Sequence, residues 1–429
     1  MAAQISPVPN LTTASSRPLE NIERHLLDHQ SSIETWFRGQ WRQTPAPFYA
    51  SVDLRHAGYK IAPVDTNLFP AGFNNLNPAF MPLCIQAVQG AVERFEGDIS
   101  RIVIVPESHT RNLFYLESLA VLRTITEKAG FEVRIGSLIP DLREPMTVDL
   151  PSGRNVTLEP LQRTDDRVHI RDFMPDLVLL NNDLSGGQPA ILQDIAQPVV
   201  PPPALGWSSR LKSSHFRHYK AVAEEFSRYV ELDPWCFDPL FRNCGEVNFM
   251  DGSGMNCLRR HTRELLEAIR EKYAERGITC KPFVIVKADS GTYGMGVMTV
   301  YDPEEVMCLN RKERTRMSTS KEGMAIRNVI VQEGVYTHET WGNPPAVAEP
   351  VVYMIDRHVV GGFYRVHTER SSAENLNAPG MRFEPLAFAE CCISPDRKLG
   401  PEAHPNRFYA YGVVARLALV AAAREMAAV

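Results

Sequence analysis

The chain has 429 residues, 44% of them hydrophobic and 23% charged, and a formal net charge of -5 at pH 7. This length predicts two or three domains, and the composition predicts a globular protein with a core of ordinary size. The acidic balance argues against nucleic-acid binding, which usually requires a basic surface. Because the sequence has neither an apolar run of about 20 residues nor a secretory signal, we expect a cytoplasmic protein without a membrane partner. The eight cysteines form no C-x-x-C pair, so their spacing indicates neither a zinc site nor a disulfide framework.

The first half of the sequence alternates between helical and strand-like segments. Apolar residues recur at helical spacing from Leu19 to Phe37 and predict an opening helix. A polar, turn-rich segment at 66–78 follows the first strand-like runs. The other predicted elements are strands at 51–55, 59–65, 101–105, 131–135 and 176–181 and helices at 79–95 and 112–129. Strands that alternate with helices in this way predict a mostly parallel, helix-covered sheet.

The second half begins after the most proline-rich stretch of the chain, at 197–204. Consecutive prolines are stiff and extended, which suits a crossover between domains. We therefore divide the chain into an N-terminal α/β domain, residues 1–203, and a C-terminal domain of α+β character, residues 204–429. The second domain is predicted to contain helices at 218–229, 257–276 and 415–428 and strands at 283–287, 328–332, 347–354 and 358–367.

A lysine followed by three glycines is the most informative local pattern. A β-branched run delivers Lys287, and Gly291, Gly294 and Gly296 lie before a second strand-like run at 297–300. Glycines allow backbone N–H groups to approach phosphate oxygens closely, and the lysine adds a positive charge. The order differs from the Walker and dinucleotide-binding patterns, because strand-like sequence lies on both sides of the loop. It predicts a flexible lid on a β-hairpin; the alternative is an ordinary hairpin turn whose lysine is solvated.

Polar groups follow this loop in an order that suits a nucleotide and a metal ion. Gln332 and Glu333 end an apolar strand, where they can offer polar groups to a nucleoside. Oxygen atoms of the kind that Mg²⁺ requires follow at Asp356, Asn375 and Asn377. Arg365 can hold a carboxylate or a phosphoryl group in a bidentate fork. Each residue singly has an ordinary alternative, a solvated turn or a satisfied salt bridge, so the prediction depends on the order of the set.

This order resembles the ATP-grasp superfamily, in particular the glutathione-synthetase-like ligases. The resemblance implies an ATP-grasp domain with an antiparallel sheet and a glycine-rich lid, which binds ATP and Mg²⁺. It implies catalytic roles for Lys287 and Arg365, the latter as the arginine that meets an acyl phosphate. The implied nucleotide-binding residues are Lys212, Lys287, Ser290, Gly291, Gly294, Gly296, Gln332, Glu333 and Val335, with Lys220 as the alternative to Lys212. The implied metal ligands are Asp356, Asn375 and Asn377; the sequence after Asn377 has no E-x-N pair, and Glu384 and Glu390 are its nearest carboxylates.

Four segments also resemble the proteobacterial glutamate–cysteine ligase family of the iron-oxidiser type. They are 52–76, 106–112, 181–187 and 206–212, and the resemblance extends over 47–415. The first segment places charged and amide side chains among apolar residues, and such groups need partners if they are buried. An amino-acid substrate can supply these partners; the alternative is a hydrogen-bonded loop that braces the sheet. The candidate substrate-binding residues are Arg55, Lys60, Asp65, Asn67, Asn74 and Asn75.

Together the two resemblances imply an ATP-dependent carboxylate–amine ligase. Its small-molecule substrates would be glutamate and cysteine, and its product γ-glutamylcysteine, on the route to glutathione. Two alternatives stay open: an ATP-grasp ligase that joins a different amine or acid, and a non-catalytic nucleotide-binding protein on the same frame. A homo-oligomer is compatible with the sequence, which does not determine the oligomeric state.

Overall fold

The computed structural model describes residues 19–108, 110–291, 296–318, 326–386 and 408–428. The α-helices in these ranges are α1 (Asn21–Asp28), α2 (Gln30–Gln43), α3 (Met81–Val92), α4 (Leu113–Lys128), α5 (Lys212–Tyr229), α6 (Met255–Glu275), α7 (Arg311–Ser318) and α8 (Phe408–Met426). The predicted opening helix is divided in two, because His29 has non-helical backbone angles between α1 and α2. Helix α8 begins at Phe408 rather than at residue 415.

The strands of the N-terminal half are β1 (Tyr49–His56), β2 (Ile61–Asn67), β3 (Arg101–Pro106), β4 (Glu132–Ser137), β5 (Met146–Asp149), β6 (Asn155–Pro160), β7 (Gln162–Thr164), β8 (Arg167–His169), β9 (Leu177–Asn181) and β10 (Val199–Val200). Those of the C-terminal half are β11 (Phe241–Glu246), β12 (Val284–Ala288), β13 (Val297–Val300), β14 (Asn328–Glu333), β15 (Thr340–Trp341), β16 (Ala346–Ile355), β17 (His358–His367) and β18 (Arg382–Pro385). The short strands β5 to β8, β10, β11, β15 and β18 were not predicted, although Val156 and Leu158 of β6 alternate with polar residues.

A mostly parallel sheet lies in the N-terminal half. Its strand order is β10-β9-β3-β4-β6-β5, and the strands run parallel except at the edge, where β5 is antiparallel to β6. All of β9 is buried, as expected for a parallel strand that is covered on both faces. Helices α3 and α4 pack together and share an apolar cluster with β3 and β9. The predicted parallel α/β arrangement is confirmed for β3, β4 and β9, whereas the predicted strands β1 and β2 belong to a different, antiparallel sheet.

A four-stranded antiparallel sheet, with the order β11-β14-β12-β13, carries the glycine-bearing loop. Strands β12 and β13 form a hairpin in which Lys287 lies opposite Val297. Helix α6 covers the sheet, with Leu258, Leu265 and Ile269 buried in the same apolar cluster as β12 and β14. The hairpin predicted from the lysine and glycine pattern is therefore present.

The third sheet joins strands from the two ends of the chain. Its order is β18-β17-β16-β1-β2, with β15 beside β16. Val52 of β1 lies opposite Val352 of β16, and Asp53 lies opposite Asp65 of β2. This sheet therefore contains strands from both sides of residue 203, and the division of the chain at that residue stays a prediction.

Helix α8 lies in the core, where it packs against α5, β1 and β2. Its residues from Phe408 to Ala423 are all buried, and buried Arg416 is paired with Glu34 of α2 at 2.7 Å. A helix that is apolar on all sides is expected inside a large core. Among the helices that the structure describes, none combines the length and the apolar character needed to cross a membrane.

Candidate active site

A cavity of about 870 Å³ lies where β1, β2, β12, β14, β16 and β17 converge. Both halves of the chain contribute to its walls, because β1 is paired with β16 on one side and with β2 on the other. The predicted site residues that line the cavity are Arg55, Asp65, Asn67, Asn74, Asn75, Lys212, Lys287, Gly291, Gln332, Glu333, Val335, Arg365, Asn375 and Asn377. Residues that are distant in sequence but were predicted to act together are thus brought together.

Lys287 reaches the cavity from β12. Its Nζ donates hydrogen bonds to the Val64 carbonyl at 2.6 Å and to Gln332 Oε1 at 2.7 Å. Burial and the neighbouring Lys212 ammonium lower the pKa of Lys287 to about 8. The ammonium is therefore a buried charge beside a second cation, and an anionic ligand would favour its protonated form.

Lys212, at the start of α5, lies beside this first lysine. Its Nζ donates to Asp65 Oδ1 at 2.5 Å and lies 4.3 Å from the centre of the Trp207 ring. Burial alone would raise the pKa of Asp65, but Lys212 and Lys287 hold it at about 2. Asp65 is thus a carboxylate between two cations. Lys220 does not line the cavity and pairs instead with Glu224 on the same helix.

The base of the glycine-bearing loop is fixed to the start of α5. Asp289 is fully buried and accepts hydrogen bonds from the Ser213 N–H and hydroxyl, each at 2.6 Å. A β-carbon at Gly291 would overlap the Trp207 ring, so this position requires glycine. Ser290 and Gly296 do not line the cavity, and Gly294 lies outside the described residues.

A buried cluster of two arginines and two carboxylates forms another wall. Arg365 Nη1 donates to Glu349 Oε1 at 2.6 Å and to Asp53 Oδ2 at 2.9 Å. Burial alone would lower the pKa of Arg365, but the two carboxylates raise it above its ordinary value. Arg55 Nε donates to Glu349 Oε2 at 2.8 Å, and its Nη1 donates to the Ser372 carbonyl at 2.8 Å. Burial raises the pKa of Asp53 despite the nearby Arg365.

Lys60 does not line the cavity, which corrects its prediction as a substrate-binding residue. Its Nζ is completely buried and donates to Glu333 Oε2 and to the Asp238 carbonyl, both at 2.7 Å. The ammonium also lies 4.3 Å from the centre of the Trp235 ring. Trp235 Nε1 donates to the other oxygen of Glu333 at 3.1 Å. Lys60 therefore serves as the buried counter-ion of Glu333, since a buried charge needs a partner.

Asp356 also lies outside the cavity, which corrects its prediction as a metal ligand. It occupies the turn between β16 and β17 with φ of 51°, and its Oδ1 is 3.0 Å from Arg94 Nη1. Glu349 and Arg365 lie further along this hairpin, opposite each other. The carboxylates that line the cavity and were not predicted are Asp53, Glu107, Asp183 and Glu349. A signal for Glu349 was present in the sequence, since it is a charge inside an otherwise apolar strand.

The predicted amides have different surroundings. Asn67 Oδ1 accepts from the Phe69 N–H at 2.9 Å, and Asn375 Oδ1 accepts from the Asn377 N–H at 3.0 Å, so both oxygens stabilise local turns. Asn74 Oδ1 is buried without a hydrogen-bond partner among the described residues. Asn75 lines the cavity beside it. Asn74 is therefore the amide that a ligand would satisfy.

The cavity contains side chains that suit the phosphates and the metal ion of a magnesium nucleotide. Its walls carry lysine and arginine cations for phosphate oxygens, together with the carboxylates of Asp53, Asp65 and Glu349. Mg²⁺ takes oxygen ligands, usually one or two carboxylates with substrate phosphates. Gln332 Nε2 is buried and has no hydrogen-bond partner among the described residues, which leaves a donor for a nucleobase. The residues present thus fit ATP and Mg²⁺.

The family model for glutamate–cysteine ligase (GshA) matches residues 23–426. The chain belongs to this glutamate–cysteine ligase family. A crystal structure from Methylobacillus flagellatus KT, which bears the provisional name gamma-glutamylcysteine synthetase, is 54% identical, with a TM-score of 0.88 over 97% of this chain and 98% of that one. The predicted family and the predicted enzyme class, an ATP-dependent carbon–nitrogen ligase, are confirmed. Membership implies ATP as the energy source and small molecules as substrates.

More distant structures are similar over part of the chain. D-alanyl-alanine synthetase A from Vibrio cholerae O1 biovar eltor is 10% identical, with a TM-score of 0.31, and covers 59% of this chain and 67% of its own. A glutathione synthetase-like effector from Globodera pallida is 10% identical, with a TM-score of 0.34, and covers 81% of this chain and 78% of its own. Neither similarity is strong enough to carry an argument about this chain. No curated protein sequence matches it significantly.

Proposed function

We propose that the cavity binds Mg-ATP, glutamate and cysteine together, and that its residues assemble an acyl phosphate on the γ-carboxylate of glutamate. The observation that carries this proposal is the presence of two cationic groups in one cavity, Lys212 with Lys287 and Arg55 with Arg365. The two groups are adjacent. Asp65 pairs with Lys212 and Asp53 pairs with Arg365, and these two aspartates lie opposite each other on β2 and β1. A phosphoryl transfer between two anions requires such compensation of charge.

Lys212 and Lys287 are the proposed ligands of the phosphates. Both ammonium groups lie at the base of the loop that contains Gly291, whose backbone closely approaches Trp207. Gln332, Glu333 and Val335 line the neighbouring wall, where the unpaired Gln332 Nε2 can donate to the adenine. The loop beyond Gly291 is proposed to close over the nucleotide and exclude water, which would otherwise hydrolyse an acyl phosphate.

Arg365 is proposed to hold the transferred phosphoryl group. Its Nε is buried without a hydrogen-bond partner among the residues that the structure describes, while Nη1 is already held by two carboxylates. A guanidinium whose Nη1 is fixed by carboxylates and which keeps an unused donor is pre-organised for an oxyanion. Asp53, Asp65, Glu349 and Asn377 are the residues proposed to hold Mg²⁺, which would neutralise phosphate charge when bound.

The proposed chemistry has two steps. An oxygen of the glutamate γ-carboxylate bonds to the terminal phosphorus of ATP, and the bond from that phosphorus to the leaving ADP oxygen breaks. The cysteine amine then attacks the acyl carbon, loses a proton, and inorganic phosphate leaves to give γ-glutamylcysteine. Phosphorylation is needed because a free carboxylate would have to expel oxide. Asn74, Asn75 and Arg55 are proposed to contact the amino-acid substrates.

The test is ADP release by the purified protein with Mg-ATP and glutamate, with and without cysteine, together with mass detection of the product. We expect cysteine-dependent ADP release and the mass of γ-glutamylcysteine. Lys212→Ala should lower turnover by about 100-fold or more, as expected for the loss of a phosphate cation. Lys220→Ala is the matched control, because Lys220 lies on the same helix and does not line the cavity.

Two results would contradict the proposal. Turnover with a different amine but not with cysteine would show that the proposed amine substrate is wrong, while the ligase class would still hold. Equal turnover in the folded Lys212→Ala and Lys220→Ala variants would remove Lys212 from the nucleotide site.

A further inference from the structure

A second cluster of potential ligand atoms lies outside the cavity. It consists of His56 at the end of β1, and of His338 and Glu339 in the segment between β14 and β15. His56 and Glu339 are buried, and the His338 side chain is 21% exposed. The cluster is therefore largely buried but can be reached from solvent at His338. None of the three side chains lines the cavity. The proposed function therefore does not use them.

The three ligand atoms form a nearly equilateral triangle. His56 Nδ1 lies 3.1 Å from Glu339 Oε1 and 3.1 Å from His338 Nε2, and His338 Nε2 lies 3.3 Å from Glu339 Oε1. Zinc bound tetrahedrally at about 2.0–2.1 Å separates its ligand atoms by about 3.4 Å. An ion can thus enter the cluster with an outward movement of each ligand by a few tenths of an ångström. One potential ligand atom from each side chain already lies within 3.3 Å of the other two.

Potential donors are crowded around one oxygen of Glu339. Tyr411 donates its hydroxyl hydrogen to Glu339 Oε1 at 2.5 Å. If both imidazole nitrogens carry hydrogen, one carboxylate oxygen must accept three hydrogen bonds with two lone pairs. If one of the nitrogens lacks hydrogen, it accepts a hydrogen bond from the other ring at 3.1 Å, and Glu339 Oε1 then accepts no more than two. A divalent cation would accept the lone pairs of all three ligands at once.

We infer that His56, His338 and Glu339 bind a divalent transition-metal ion of the zinc class. Two imidazoles and one carboxylate favour such an ion over Mg²⁺, which prefers oxygen ligands. Tyr411 of α8 and Tyr364 of β17 both donate to Glu339, at 2.5 and 3.4 Å, as second partners of a ligating carboxylate commonly do.

The role of this ion is structural. It connects the end of β1 to the segment before β15 and, through Tyr411, to the C-terminal helix. His56 follows Arg55 directly, and Arg55 lines the cavity. The backbone of His338 also donates to the His56 carbonyl at 2.9 Å. Metal binding would therefore fix the strand end that carries one of the two cavity arginines, without contacting the substrates.

The experiment uses the purified full chain, treated with a chelator, dialysed and then reloaded with Zn²⁺ or Co²⁺ in the absence of nucleotide. Metal content is measured by plasma mass spectrometry, and cobalt coordination by visible absorption. We expect one tightly held equivalent per chain and a tetrahedral cobalt spectrum without a thiolate charge-transfer band. His338→Ala should weaken cobalt binding by at least about tenfold, because it removes one of the three proposed ligands. Chelation should lower the Tm of the wild type but not that of this variant.

Two controls isolate the site. His29→Ala removes an exposed histidine from another surface and should leave uptake unchanged. His261→Ala tests a separate cluster, in which His261 Nδ1 lies 3.3 Å from Cys244 Sγ and 3.8 Å from Cys257 Sγ. Glu339→Gln provides a second variant of the site if His338→Ala does not fold. No retained equivalent, equal uptake by the wild type and His338→Ala, or a thiolate band that His261→Ala abolishes would overturn the inference. None of these outcomes depends on ligase turnover.

Discussion

Glu349 and Arg365 face each other across the β16–β17 hairpin, and Arg365 Nη1 donates to Glu349 Oε1 at 2.6 Å. The other oxygen of Glu349 accepts from Arg55, so a single carboxylate holds two guanidinium groups. Both arginines are buried, and without the carboxylate they would repel each other at close range. Glu349 thus fixes the two arginines before any substrate arrives.

The first prediction concerns the loss of this shared charge. Glu349→Gln keeps the size of the side chain but leaves two buried cations without their common counter-ion. We expect the free energy of unfolding to fall by about 3 kcal/mol, since removing one partner of a buried pair is strongly destabilising. Urea denaturation measures this change. Glu384→Gln is the control, because Glu384 is partly exposed on β18, and its unfolding free energy should change by less than about 0.5 kcal/mol. Equal losses in both variants would contradict the role assigned to Glu349.

The second prediction separates function from folding at Lys287. Lys287→Ala should lower turnover by about 100-fold or more, because a charge that stabilises transferring phosphate is lost. Its stability should hold, since burial and Lys212 disfavour the charged form of Lys287 in the folded protein. Coupled ADP release measures turnover, and circular dichroism with urea denaturation measures folding. Lys281→Ala, at an exposed position before β12, serves as the control. Unchanged turnover in a folded Lys287→Ala variant would remove this lysine from the site.

The third prediction concerns pH. The pKa of Lys287 in the folded protein is about 8, below the ordinary lysine value of 10.5, so the ammonium loses its proton as the pH rises through about 8. Nucleotide affinity should fall from that pH upwards. The contribution of Lys287 to stability changes in the opposite direction. Between these two pKa values the unfolded chain binds more protons than the folded protein, so the free energy of unfolding rises with pH there. Calorimetric titration of ATP measures the affinity. Lys287→Arg keeps its charge, so an equal decline in that variant would assign the effect to another group.

The fourth prediction concerns Gly291 and Trp207. Gly291→Ala places a methyl group where the indole lies, and we expect a loss of about 1–3 kcal/mol in stability, together with a higher KM for ATP. Trp207→Leu in the same chain should partly restore stability by making room. Gly90→Ala is the matched control, because Gly90 lies in α3 with open space where a methyl group would go, and it should gain about 0.5–1 kcal/mol. A Gly291→Ala variant as stable as the wild type would show that the ring moves freely.

The sequence predicted those parts of the site that depend on local patterns. The β-branched run before Lys287 and the glycines after it specify a hairpin, and that hairpin is present. Strand β1 was also predicted, and its polar residues Asp53 and Arg55 do line the cavity. In these cases the physical signal lies within a few neighbouring residues.

The rest of the site depends on pairings between distant residues. Lys60 looks like a substrate ligand in the sequence, yet its partner Glu333 lies 273 residues away and satisfies it inside the core. Asp356 and Glu349 are both carboxylates of one hairpin, and the register of β16 against β1 decides that Glu349 is the one in the cavity. No local pattern contains that register. Gly294 lies outside the described residues, so its predicted role in the lid stays a prediction.

The pairing of β1 with β16 has a consequence for biosynthesis. Tyr49 must find Ile355, and Asp53 must find Val351, so the cavity wall closes between segments made early and late in translation. A ribosome that adds about 5–20 residues per second separates these segments by roughly 15–60 s. During that interval the nascent β1–β2 hairpin exposes an edge that attracts other strands. The recovery of folded protein therefore depends on how long that edge stays unpaired, independently of how well the finished cavity performs its chemistry.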